Sequence, residues 1–136
     1  MIKVKKDLQK RVETFLNTYP NSDEYGGYFF SNRLGNISEF LVIPNIHSSR
    51  KDTYQMPETA GELAKKFASA RNLTLIARWH NHPTPAVCSI QDCHSAEYNN
   101  SLYSVMISPT GSSGHSKKDY IWYFYKGVKP EKASFI

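Results

Sequence analysis

Two histidines one residue apart, His80 and His82, open the segment Trp79-His80-Asn81-His82-Pro83-Thr84-Pro85-Ala86-Val87-Cys88-Ser89-Ile90-Gln91-Asp92. On a strand, side chains at i and i+2 share a face. Both imidazoles therefore point the same way, and two imidazole nitrogens at about 2.0–2.1 Å from an ion form half a zinc site. Pro83 and Pro85 end the strand and stiffen the turn. Ser89 can cap the helix that follows, which puts Asp92 in its first turn, able to face back as a third ligand. Three protein ligands and one open position is the pattern of catalytic zinc. Such a site brings the pKa of bound water to about 7, and the chemistry then needs a proton acceptor. Glu24 is the candidate, because it opens the stretch Glu24-Tyr25-Gly26-Gly27. A carboxylate near the metal can take a proton from water and hand it to a leaving amine.

Each of these residues also has a plainer reading. Glu24 can be a solvated loop carboxylate beside Asp23, Ser89 an ordinary helix cap worth about 1 kcal/mol, and Asp92 a favourable first-turn acid. Cys88, Cys93 and His94 with His80 or His82 offer a rival, structural zinc site, although Cys-x4-Cys is looser than finger spacing. A Cys88 nucleophile with a histidine base is a further option, but it leaves the His-x-His spacing unexplained. His47 and His115 lie in polar loops and read as surface residues. The string His80-Asn81-His82 does not indicate an HNH nuclease, whose namesake residues are dispersed in sequence. Trp79, Trp122 and the aromatics of 120–125 read as packing residues.

The elements that must position this chemistry follow from periodicity. Val4, Leu8, Val12, Phe15 and Tyr19 form one helical stripe, stopped by Pro20. Residues 25–31 read as a short aromatic strand, Arg33-Leu34-Gly35-Asn36 as a turn, and Ile37 to Ile43 as a buried strand. Residues 44–56 are polar and irregular. Pro57 suits the first turn of a helix whose face carries Ala60, Leu63, Ala64 and Phe67, with Lys65 and Lys66 opposite. Strands are expected at 73–80, 102–108 and 120–125, a short helix at 89–99, and a Gly- and Ser-rich loop at 109–118. The last ten residues read as a tail. The expected class is α/β (α+β), one mixed sheet flanked by helices, with a domain over 1–126 and a C-terminal tail over 127–136.

Composition bounds the rest. A chain of 136 residues is one domain that buries its own core. With 40% hydrophobic and 21% charged residues it is neither collagenous nor wholly disordered. No apolar run approaches the roughly 18–20 residues of a bilayer span, and no signal peptide is visible, so no membrane partner is expected. Two cysteines are too few for a secreted disulfide scaffold, which makes a cytoplasmic setting the default. The net charge of +5 favours acidic partners. The basic residues are scattered, so nucleic acid is not the expected partner. The sequence does not set an oligomeric state.

Taken together, Glu24-x-x-Gly27, the helix after it, His80-x-His82-Pro83 and Ser89-x-x-Asp92 resemble the JAMM (MPN-plus, or JAB) metallopeptidase family, in its element order across most of the chain. The resemblance implies a curved mixed sheet of JAB/MPN (cytidine-deaminase-like) architecture, one Zn2+ per chain, and hydrolysis of peptide or isopeptide bonds. It implies that His80, His82 and Asp92 hold the zinc, that Glu24 is general base and acid, and that Ser89 donates a hydrogen bond to the oxyanion. Gly27 matches the glycine that opens the family's strand. Two departures stand out: the spacer between His82 and Ser89 is one residue shorter than usual, and Cys88 stands where prokaryotic members often have proline. The implied partner is a protein substrate, next to a ubiquitin-like or sulfur-carrier tail or in a phage structural protein, cut by a compact prokaryotic or phage-type enzyme. The rivals are a non-catalytic MPN-like module, a DNA-associated protein of the RadC kind, and a JAB-like toxin domain.

Overall fold

The computed structural model describes residues 1–18, 23–50, 53–82, 102–110 and 119–136. Their order is β1 (Ile2–Val4), α1 (Lys6–Thr18), β2 (Gly26–Ser31), β3 (Ile37–Ile43), α2 (Ala60–Arg71), β4 (Thr74–Asn81), β5 (Tyr103–Pro109), β6 (Tyr120–Lys126), β7 (Lys129–Glu131) and β8 (Ala133–Phe135). The strands form one eight-stranded sheet in the order β7-β6-β5-β4-β2-β3-β1-β8. It is mixed: β4/β5, β1/β3 and β1/β8 are parallel, and the other pairs are antiparallel. The two ends of that order, β7 and β8, are consecutive in the chain with only Lys132 between them. One residue spans less than about 4 Å, so the sheet must curl until its edges nearly meet. The α+β class expected from the sequence is the class observed.

Each helix packs on a different face. Helix α1 buries Leu8, Val12 and Leu16 into a core with Phe29, Trp79, Val105, Ile107, Trp122 and Phe124. Phe29 lies stacked between Trp79 and Trp122, at 5.6 Å from each ring, which accounts for the tryptophans as packing residues. The Trp122 indole N–H donates to Glu13 at 2.9 Å and ties β6 to α1. Helix α2 buries Ala60, Ala64 and Ala68 against Tyr28, Phe30 and Ile43. It ends on Asn72, whose left-handed φ of 54° closes the helix onto the carbonyls of Ala68 and Ser69.

Several expectations need correction. Val4 is buried, but in β1 rather than on the helical stripe, because it pairs with Ile37 and Phe135. Leu63 is 51% exposed; the alanine row four residues apart faces the sheet, and Leu63 is turned off it. Pro57 precedes α2, its carbonyl accepting from the Ala60 N–H at 3.0 Å. β3 is buried only at its ends, since past Ile37 no strand pairs with its outer side among the described residues. Residues 127–136 are not a tail: Gly127, with φ 59°, turns the chain into β7, and β8 pairs with β1. Tyr19, Pro20, the helix expected over 89–99 and the loop residues 111–118 lie outside the described residues.

Candidate active site

The site is assembled where the start of β2 meets the end of β4. Glu24 precedes β2 and is buried at 3% exposure. Its backbone is held on both flanks. Its N–H donates to the Arg50 carbonyl at 2.6 Å, and its carbonyl accepts from Asn45 Nδ2 at 3.0 Å. Asn45 also donates to the Thr53 carbonyl at 2.9 Å and accepts the N–H groups of His47 and Gln55 through Oδ1. One asparagine thus gathers the irregular 44–56 stretch and anchors Glu24 to it. His47 accepts a hydrogen bond from the Ser49 N–H within this loop.

On the other side, Asn81 clamps Tyr25. The Tyr25 N–H donates to Asn81 Oδ1 at 2.5 Å, and the Asn81 N–H donates to the Tyr25 carbonyl at 2.9 Å. Asn81 is buried and stands between the two histidines, so the residue after Glu24 is fastened to the middle of the His-Asn-His strand end. Gly26 pairs with His80 in the β2/β4 register, and the His82 N–H donates to the Ile107 carbonyl at 3.0 Å, holding the end of β4 onto β5.

These bonds set the side chains. The His80 and His82 rings lie 5.2 Å apart between centroids, inclined by 56°. Glu24 Oε2 is 4.0 Å from His82 Nδ1. His82 keeps 21% of its side chain exposed, so solvent reaches the pair while the carboxylate lies behind it. The glycines make the close approach of strands possible. A Cβ on Gly27 would fall 1.8 Å from the Leu41 carbonyl oxygen, and one on Gly26 would strike the Trp79 carbonyl at 2.5 Å and the Tyr54 ring at 2.7 Å. Tyr54 roofs Gly26 and donates its hydroxyl to the Ile43 carbonyl at 2.7 Å. Burial pushes the Tyr54 pKa well up; Arg78 opposes that rise and Tyr28 adds to it.

Of the residues singled out from the sequence, Glu24, His80 and His82 are therefore brought together across 58 positions of chain, from 24 to 82. Ser89 and Asp92, with Cys88, Cys93, His94 and His115, lie outside the described residues. Among the described residues, no group of three or more His, Cys, Asp or Glu side chains is placed to hold a metal ion. Asn45, Asn81 and Tyr54 were missed by the sequence reading. The position of Asn81 inside the His-x-His string was the one available signal.

The arrangement can be set beside known structures. By sequence, the chain matches no family model and no curated protein. By shape it matches a solution structure of a protein from Desulfitobacterium hafniense, with TM-score 0.75 and 20% identity over 100% of this chain and 93% of that one. It matches the crystal structure of a JAB1/MPN domain protein from Archaeoglobus fulgidus, with TM-score 0.63 and 12% identity over 99% and 97% of the two chains. The fold is that of a JAB/MPN domain. A solution structure of a protein from Salinibacter ruber is similar as well, with TM-score 0.63 and 16% identity over 99% and 92%. At these identities the likeness describes the JAB/MPN fold alone, and the chemistry must be argued from the residues.

Proposed function

We propose that this protein is a zinc-dependent hydrolase of peptide or isopeptide bonds. The observation that supports it most is the buried Glu24 carboxylate 4.0 Å from His82, itself beside His80, in a JAB/MPN fold. The donor chemistry fits zinc. Two imidazoles on one side of a strand end are borderline ligands of the kind zinc takes, and one carboxylate from Asp92 would complete three protein ligands with one position open. When bound, zinc supplies Lewis acidity and makes water a nucleophile near neutral pH.

The protein's own residues do the rest. Glu24 accepts a proton from the attacking water and delivers it to the departing amine. Its burial keeps bulk water from competing, and the ties to Asn45, Arg50 and Asn81 keep it at the histidines. Ser89 donates a hydrogen bond to the oxyanion of the tetrahedral intermediate, a contribution of about 3 kcal/mol for one donor. The substrate in this reading is a protein, cut next to an extended tail of the ubiquitin-like or sulfur-carrier kind, in a cytoplasmic setting.

Metal analysis of the purified protein tests the reading. One zinc per chain in wild type, lost in His80→Ala and in Asp92→Ala, is the expected result. Zinc kept in both variants but lost in Cys88→Ser would replace the catalytic site by a thiolate one.

A further inference from the structure

A second polar side chain stands on the histidine face of β4. Arg78 lies two residues before His80 and so shares its face. In register, Tyr28 and Ser104 flank Arg78, and Gly26 and Met106 flank His80. Arg78 is half-buried, and it lies close enough to Tyr54, the roof over Gly26, to act on the Tyr54 hydroxyl. Along the strand the backbone positions of Arg78 and His80 are about 7 Å apart, and Tyr54 covers Gly26, the register partner of His80.

The chain has five arginines, and their surroundings differ. Arg11 grips Asp7 and Glu39. Arg50 reaches Asp23. Arg71 lies 3.8 Å over the Phe67 ring, at the surface. Arg33 is exposed in a turn, where water solvates it. Arg78 gives up part of its hydration and has no carboxylate partner among the described residues. With no carboxylate partner among the described residues, its planar fork of N–H donors is left to match a carboxylate in two-point contact.

We propose that Arg78 receives a carboxylate of the substrate. The bound chain carries either an acidic side chain or its own C-terminal carboxylate within about two residues of the bond that meets the histidines. That statement of position rests on the hydrolase reading above; the anion site itself does not. The overall charge of +5 draws such a ligand in.

The test is a titration of the full chain with three peptides, followed by NMR shifts. They are acetyl-Gly-Glu-Gly-Gly-amide, its neutral Gln counterpart, and the Gln peptide with a free C-terminal carboxylate. The expected result is that one carboxylate peptide binds at least about tenfold tighter than the neutral one, and that Arg78→Gln abolishes the difference. Whichever carboxylate peptide wins identifies the side-chain or the terminal source. Arg78→Lys, which keeps charge but loses the fork, should hold part of the preference, and it serves if the Gln variant does not fold. Equal binding of all three peptides by wild type overturns the proposal. A preference that survives unchanged in Arg78→Gln also overturns it, since the carboxylate would then be held elsewhere, for instance by a metal. Zinc analysis of His80→Ala reports on the hydrolase reading separately, so either idea can fail alone.

Discussion

Glu24 can do chemistry only where its carboxylate is held, and two asparagines hold the backbone around it. Asn81 is the more direct to test, because its Oδ1 accepts the part-buried amide of the residue next to Glu24. Asn81→Ala leaves the Tyr25 N–H without that acceptor and should cost about 1–3 kcal/mol, read as a lowered urea midpoint; Asn81→Asp, which keeps an acceptor oxygen, should recover part of it. Glu24→Gln should keep its zinc and slow hydrolysis by about 10²- to 10⁴-fold, measured as zinc content and turnover on one preparation. Full activity in that variant removes Glu24 from its role. At this scale the sequence was informative about His80 and His82, since strand alternation alone puts them together. It was silent about Asn45 and Asn81, because a hydrogen bond to a backbone group 56 residues away leaves no pattern in the residues that make it.

The elements pack closely at two glycines, and the strongest stability effect belongs there. Gly27→Ala drives a Cβ into the backbone of β3, an atom that cannot move aside without breaking the β2/β3 pairing. The expected loss exceeds about 4 kcal/mol, seen as failure to reach the folded state or a collapse of the thermal transition. Tyr54 carries a pH effect with a definite sign. Its folded pKa is raised chiefly by burial, so its contribution to stability is intact below the ordinary tyrosine value and is lost as pH rises through the folded value. Wild type should therefore lose stability above about pH 10, and Tyr54→Phe should flatten that alkaline loss while giving up about 1 kcal/mol at neutral pH. Chemical denaturation at several pH values checks both. Strand positions were legible because β2, β3 and β6 are aromatic or β-branched runs. The inward face of α2 was legible at Ala60, Ala64 and Phe67 but not at Leu63, which carries more hydrophobicity than its exposed position uses.

Over the whole molecule, the curled sheet depends on residues that read as a tail. Lys129, Pro130, Glu131 and Lys132 show no alternation that marks a strand, and three-residue strands are set by their partners rather than by their own pattern. Deleting residues 133–136 strips β1 of β8, one of its two parallel partners, and leaves it the single register contact of Val4 with Ile37 in β3. A drop in Tm of roughly 5 °C or more is expected, with faster hydrogen exchange at Ile2 and Val4. The JAB/MPN likeness of the fold could be suspected from element order, but the closure through β8 could not.

That closure has a mechanical consequence. β1 and β8 run side by side in the same direction, secured by the Ile2 N–H on the Lys132 carbonyl, the Ile136 N–H on the Val4 carbonyl and the Lys6 N–H on the Ile136 carbonyl. Tension applied between residue 2 and residue 135 slides the two strands past one another, so it loads these bonds together in shear rather than peeling them one by one. Unfolding under load is governed by the unfolding barrier, and a domain stretched along this axis should resist pulling far better than one gripped at the β6–β7 turn.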